Sequence, residues 1–414
     1  RINKNRDRKH YYEISLVQAL LKVKLTTSTS FRAIAKISVI IALYLRIGTK
    51  SPKHTTVLLW VKKIGVYQLI KPKEKATDWI LLLDESISIG QEKLLLIMGI
   101  RQSKINFNRP LRYQDLTPLR SISRTKWKAE DISTLISEIK GEIGEIIYIV
   151  SDCGANIKAA ARIQNITHIP DLSHWMAHIL KEIYEGDCEF TEYTKQLAQM
   201  RFRLCCTKIA HIIPPKQRTD SRFMNISVLS QWGIIALNIL RNNEKNEQTE
   251  EMKMIEQELS WIFPYKTFIK ELKRIMNVCN KILKILKHKG LSNETIELCK
   301  KKLSFCKKGK QKKFKDKVEE YFDMVMSRAN IKPILITDDI IESSFGKYKN
   351  YLSKNLMLGI TDLALCIPAF TFKLENQAEI KTALELIDVK TVKEWSKKNI
   401  GRTLLTKRKE IFKT

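Results

Sequence analysis

Two apolar runs that each end in an aspartate constrain this chain's fold more than any other feature of its 414 residues. Trp79-Ile80-Leu81-Leu82-Leu83 leads straight into Asp84, and Glu145–Val150 leads into Ser151-Asp152. Neither run alternates polar with apolar, and both are too short for a helix, so each predicts a strand buried on both faces. Lys93–Arg101 reads as a second strand and Leu111–Ile122 as a third, with Pro118 inside it. Ala129–Lys140 has the spacing of an amphipathic helix, Ala155–Ile163 is a further helix, and Thr167–Ile169 a short strand. The order strand, strand, strand, helix, strand, helix, strand predicts an α/β fold. An antiparallel meander would be extended by parallel strands through right-handed crossovers.

Helical periodicity dominates on either side of this region. Tyr12, Ile14, Val17, Leu20 and Leu21 recur at three and four residues. Ser30 caps an expected helix through Leu45, Gly48–Pro52 breaks it, and Lys53–Gly65 forms a third helix. Three short helices with a turn before the last match a helix-turn-helix arrangement. After Ser173 the strand signal fades for some 160 residues, and segments such as Val228–Arg241, Tyr265–Lys287 and Asn293–Phe305 read as helical. The expected division is therefore 1–75 helical, 76–173 strand-rich, 174–335 all-helical, and 336–414 helical again.

Charge narrows the partners. The chain carries 74 Lys+Arg against 44 Asp+Glu, a formal net charge of +30, and its first 75 residues hold 17 basic residues and 3 acids. Such an excess calls for a polyanion or an anionic surface as partner, or the chain tolerates much self-repulsion. On the third helix, Lys53, His54, Thr55, Lys62 and Lys63 are the candidates for DNA contact; a basic bundle that only packs on its neighbour is the plainer alternative. Lys300–Lys317 holds ten lysines and one acid, either a solvated face or a phosphate contact. No apolar run is long enough to span a membrane and no secretory leader is expected. Eight cysteines without a Cys-x-x-Cys predict reduced thiols in a cytoplasmic protein.

The chemistry centres on carboxylates. Asp84 and Asp152 at the ends of neighbouring strands would repel each other unless a divalent cation compensated them, and carboxylates are hard ligands suited to Mg²⁺. Alternatively, each only caps a turn. A third acid is available in Asp338-Asp339-Ile340-Ile341-Glu342, where an aspartate caps a helix whose first turn contains Glu342. Asp339 competes with Glu342 for the metal role, and Lys347 and Lys349 follow on the same helix for DNA phosphate. His174, by its position alone, reads as a histidine satisfied at a helix start. Trp175 and Trp232 read first as core residues and second as platforms for an unpaired base.

With these residues in view, the chain resembles the DNA transposases that use an Asp-Asp-Glu set in an RNase H-like domain. Ser151-Asp152-Cys153-Gly154-Ala155-Asn156, followed by Ala159-Ala160-Ala161, resembles the second-aspartate motif of the Mutator-like and hAT-like groups and their bacterial insertion-sequence relatives. Asp171-Leu172-Ser173-His174 resembles their Asp-x-x-His element, and the 190 positions from Asp152 to Glu342 match their helical insertion. Cys153 departs from the usual small or polar residue. The absence of an N-terminal zinc finger favours the bacterial relatives.

The resemblance implies an RNase H-like mixed sheet interrupted by a large all-α insertion and preceded by the helix-turn-helix region. It implies Asp84, Asp152 and Glu342 as catalytic metal ligands for Mg²⁺, with Mn²⁺ able to substitute, and a catalytic role for His174. The implied partners are DNA, as terminal inverted repeats and target, and further copies of the chain, in a bacterial, nucleoid-associated setting. The implied reaction is cleavage at the element ends followed by strand transfer. An inactive DNA-binding derivative and an RNase H-like nuclease without strand transfer are the alternatives.

Overall fold

The computed structural model describes residues 12–44, 51–87, 92–217, 223, 226–243, 249–352 and 359–412. It divides into two compact units: residues 1–106, 110–169 and 338–414 form one, and 107–109 with 170–337 the other. Leu45 and the expected break at 48–50 lie outside the described residues.

The first unit is built on a five-stranded mixed sheet with order β3-β2-β1-β4-β5, from β1 (Ala76–Ile87), β2 (Lys93–Arg101), β3 (Thr117–Arg124), β4 (Gly144–Ser151) and β5 (Thr167–Pro170). β1 pairs antiparallel with β2 and β2 with β3, whereas β4 runs parallel to β1. Ile80 to Leu83 and Leu94 to Ile97 are almost fully buried, as expected of strands covered on both faces. One face packs against α4 (Ala129–Ile143) and α5 (Ala155–Ile163), in a core where Leu81, Leu83 and Ile97 meet Ile132, Ile136 and Ala160. Gly144 ends α4 at φ +94°, and a Cβ there would stand 2.3 Å from the Ala76 carbonyl oxygen. Only glycine allows the chain to turn from helix into β4 that close to β1.

The third strand starts later than its sequence suggests. Residues 113–115 form a 3₁₀ turn instead, closed by the Arg112 N–H donating to the Asp115 carboxylate at 2.8 Å. Pro118 is tolerated because β3 is an edge strand and the register shifts where Met98 faces it.

The flanking helices of this unit are α1 (Ile14–Thr26), α2 (Phe31–Tyr44) and α3 (His54–Ile70), with α13 (Asp339–Leu352), α14 (Cys366–Ala369), α15 (Gln377–Leu386) and α16 (Val389–Asn399). α3 runs past Gly65, the expected end, because the glycine is an interior contact: a Cβ there would lie 2.1 Å from the Leu365 carbonyl oxygen. Val57, Val61, Ile64 and Val66 are fully buried, and α3 packs against α2, α14, α15, α16 and β3. It is a central packing helix, and residues 1–75 share one compact unit with the sheet.

The second unit is predominantly helical: α6 (Leu172–Tyr184), α7 (Cys188–Leu204), α8 (Ile226–Asn243), α9 (Glu250–Leu259), α10 (Lys266–Lys289), α11 (Asn293–Leu303) and α12 (Gly309–Arg328). Its core is aromatic, with Tyr193 and Phe268 ring centroids 5.6 Å apart and Tyr184 and Phe190 5.2 Å apart. The lysine-rich stretch spans α11 and α12, and some of its lysines pair with carboxylates of the same unit. Lys310 meets Asp187 at 2.7 Å, and Lys313 and Lys317 approach Glu182. All eight cysteines are free thiols. Among the described residues, no helix is long and apolar enough to cross a membrane.

Candidate active site

The parallel pairing of β1 with β4 places Leu83 opposite Ser151, so Asp84 and Asp152 follow at the same level on adjacent strands. Neighbouring strands lie about 4.8 Å apart. Backbone N–H groups orient one oxygen of each carboxylate: Glu85 N–H donates to Asp84 Oδ1 at 2.7 Å, and Gly154 N–H to Asp152 Oδ1 at 2.9 Å. The second bond closes the turn from β4 into α5. A Cβ at residue 154 would come within 2.8 Å of that same Oδ1, so Gly154 lets the carboxylate fold back over the turn. Next to Asp152, Ser151 Oγ lies 2.8 Å from His168 Nε2 on β5, a polar link across the sheet end that no sequence motif announces.

Glu342 lies in the first turn of α13, as its sequence position suggested, and α13 packs against β1. The Ser343 hydroxyl meets Tyr113 Oη at 2.7 Å and ties the same turn to the segment before β3. Asp339 also sits in that first turn, and the buried Asp338 precedes it, its carbonyl accepting from Ile341 N–H at 2.7 Å.

Asp171 caps α6. Its fully buried carboxylate accepts the His174 N–H at 2.8 Å, and the same oxygen lies 3.2 Å from His174 Nδ1. Thus the Asp-x-x-His element is a helix cap and a histidine orienter at once. Leu172 N–H donates to the Ile336 carbonyl at 2.9 Å. Around this bond Asp171, His174 and Asp338 each offer a ligand atom, and these atoms lie within 4.8 Å of one another, a group able to hold a divalent metal. It is a different set from Asp84, Asp152 and Glu342. Sequence reasoning weighed Asp338 only as a cap. Its signal was the apolar run Ile334-Leu335-Ile336 ahead of it, the same pattern that marks Asp84.

The candidate DNA contacts divide. Lys53, His54 and Thr55 are exposed at the start of α3, and Lys349 is exposed on α13. Lys62, Lys63 and Lys347 make contacts within the protein. Lys62 pairs with Asp362 at 2.6 Å and Lys63 donates to the Leu384 carbonyl at 2.9 Å. Lys347 donates to the Leu25 carbonyl, its ammonium 4.4 Å from the Phe370 ring centre, and burial lowers its pKa. Trp175 lies 5.4 Å from the Tyr321 ring, and the Trp232 indole N–H donates to the Ile212 carbonyl, so both serve packing.

No family model and no curated protein matches this sequence. Among solved structures it is similar to the Drosophila P element transposase strand transfer complex, at a TM-score of 0.43 and 11% identity, over 89% of this chain and 93% of that one.

Proposed function

We propose that this chain is a DNA transposase whose RNase H-like sheet carries an Asp-Asp-Glu centre, cleaving phosphodiesters at element ends and transferring the freed strand to target DNA. The observation that carries the proposal is the register of parallel β1 and β4, which sets Asp84, within β1, level with Asp152, just past the end of β4, with Glu342 on the helix packed against β1. A turn-capping role explains Asp152 alone, but not two aspartates at the same level of neighbouring strands, one of them inside the β1 ladder.

The donor set fits Mg²⁺ or Mn²⁺: carboxylate oxygens are hard ligands, and one oxygen of each aspartate is already oriented by a backbone N–H. Asp84, Asp152 and Glu342 would hold the ions. When bound, they would supply a nucleophile at neutral pH and charge compensation at the leaving oxygen. The fixed carboxylates set where the phosphodiester lies. Exposed Lys53 and Lys349 supply phosphate contacts that position DNA without reading its sequence.

Asp171, His174 and Asp338 give a second reading of where metal is held, favoured by the mutual approach of their ligand atoms. Cleavage of DNA carrying the element's own ends, in Mg²⁺ and in Mn²⁺, separates the two. The first reading requires Asp84→Asn and Asp152→Asn to abolish cleavage while salt-dependent DNA binding persists. The second requires Asp338→Asn and His174→Ala to do so instead. Full activity in Asp84→Asn refutes the proposed centre.

A further inference from the structure

The sheet unit contains a cleft set two strands away from Asp84. It has a volume of about 930 Å³ and follows the open edge of β3, every residue of 119–124 lining it, with the end of α3 and the end of α16 among its walls. Six cations line it: Lys71, Lys73, Lys75, Arg120, Arg124 and Lys398. The acids on its wall, Glu138 and Glu142, are both engaged by Arg120. Lys71 and Arg124 have carboxylate partners in Glu379 and Asp131.

Lys73 is different. It is half-buried and donates to the Gln68 backbone carbonyl, which is no counter-charge. Burial, with Lys71 and Arg120 adding to it and Glu142 opposing, draws its pKa down to about 8. A protein gains nothing in stability from a half-buried ammonium crowded by like charges; an anion arriving beside it removes the cost. An independent observation points to the same place. Ser121 is 2% exposed and lines the cleft, and its hydroxyl has no hydrogen-bond partner. A buried hydroxyl left unsatisfied is costly, and a phosphate oxygen would satisfy it. Ser121 pairs with Leu96, which pairs with Asp84, so the cleft is two strands from the carboxylates, about 10 Å.

We propose that this cleft is a binding site for a phosphate ester, with Lys73 and Ser121 as its inner contacts and Lys75 and Lys398 at its rim. The phosphate could belong to a free nucleotide or to a nucleic-acid strand, and the half-buried Trp395 in the lining offers an aromatic surface to the base of either.

Calorimetry on the full chain tests this. The probes are sodium pyrophosphate, adenosine 5′-monophosphate and a twelve-nucleotide single-stranded DNA, in enough salt to suppress diffuse binding to a +30 chain. Saturable pyrophosphate binding is expected, weakened about tenfold or more by Lys73→Gln and a few-fold by Ser121→Ala. The exposed Lys398→Glu, which disturbs no packing, should weaken it as well. Monophosphate binding that matches the oligonucleotide identifies a free nucleotide as the occupant. An oligonucleotide that binds far more tightly and is displaced by pyrophosphate identifies a strand. No saturable anion binding overturns the proposal, as does pyrophosphate affinity that folded Lys73→Gln and Lys398→Glu both leave unchanged.

Discussion

Replacing Lys24 by methionine should alter how stability responds to alkaline pH, by an amount the structure specifies. Lys24 is 1% exposed, donates to the Thr29 carbonyl at 2.8 Å, and holds its ammonium 3.4 Å from the Tyr351 ring centre and 4.3 Å from that of Phe31. Burial is the main cause that draws its pKa from 10.5 to about 8, with the neighbouring Lys347 ammonium adding to the fall. In the unfolded chain the ammonium keeps its proton up to about pH 10.5. Between pH 8 and 10.5 the unfolded state therefore binds more protons than the native state, and native stability rises with pH. The cost of burying the charge is fully present below about pH 8 and is relieved as pH climbs through that window. A displacement of this size corresponds to roughly 3 kcal/mol. A methionine side chain has no proton to lose, so urea unfolding of wild type and Lys24→Met at about pH 7 and about pH 10.5 isolates this group from all others that titrate. Wild type should gain roughly 3 kcal/mol on the variant across that interval. Cys366, pushed up to about 12 by burial, stays protonated throughout. A difference between the two proteins that does not change with pH would refute the reasoning.

Other outcomes follow from the same geometry. Gly65→Ala should lower the melting temperature despite alanine's better helix propensity, costing about 1–3 kcal/mol, because the new methyl meets the Leu365 backbone. Gly144→Ala should cost at least as much, since strain at φ +94° adds to contact with Ala76; thermal unfolding checks both. Asp171→Ala removes the α6 cap and should destabilise by about 1 kcal/mol in urea titrations, whatever its effect on metal. If Lys53 meets a DNA phosphate, Lys53→Ala should flatten the salt dependence of duplex binding by about 0.9 in log–log slope, measured by anisotropy; Lys62→Met should leave that slope unchanged.

Strand number, order and the first two carboxylates were legible because each rests on local information. An apolar run such as Ile80–Leu83 declares a doubly covered strand without reference to anything distant, and Asp84 follows it by counting, although the strand itself continues to Ile87. Glu342 was legible for a similar reason, as a first-turn acid after a cap. The surroundings of the N-terminal helices were not legible, because they come from the other end of the chain. Lys62 is neutralised by Asp362 and Gly65 is demanded by Leu365, each 300 residues away, so a spacing that suggested a DNA-facing helix belongs to one packed on nearly all sides. The surroundings of Lys347 were hidden likewise, because Leu25 and Phe370, which it contacts, are distant in sequence or lie beyond it. The Asp338 cluster was hidden by the same distance: Asp171 and His174 find their third member only where the chain returns from the helical unit.

The Leu172–Ile336 hydrogen bond has a kinetic consequence. It fastens the two ends of the helical unit, turning a stretch of more than 160 residues into a closed loop. Without that closure, α13 would have to find β1 from the far end of a long flexible excursion, and loop entropy would oppose the encounter. With it, the chain re-emerges beside the point where it left, and the search shrinks to a few residues. Folding of the helical unit should therefore come before arrival of α13 on the sheet. A nascent or truncated chain would hold Asp84 and Asp152 in place while still lacking Glu342. Assembly order would then leave the three-carboxylate set incomplete until α13 has been made.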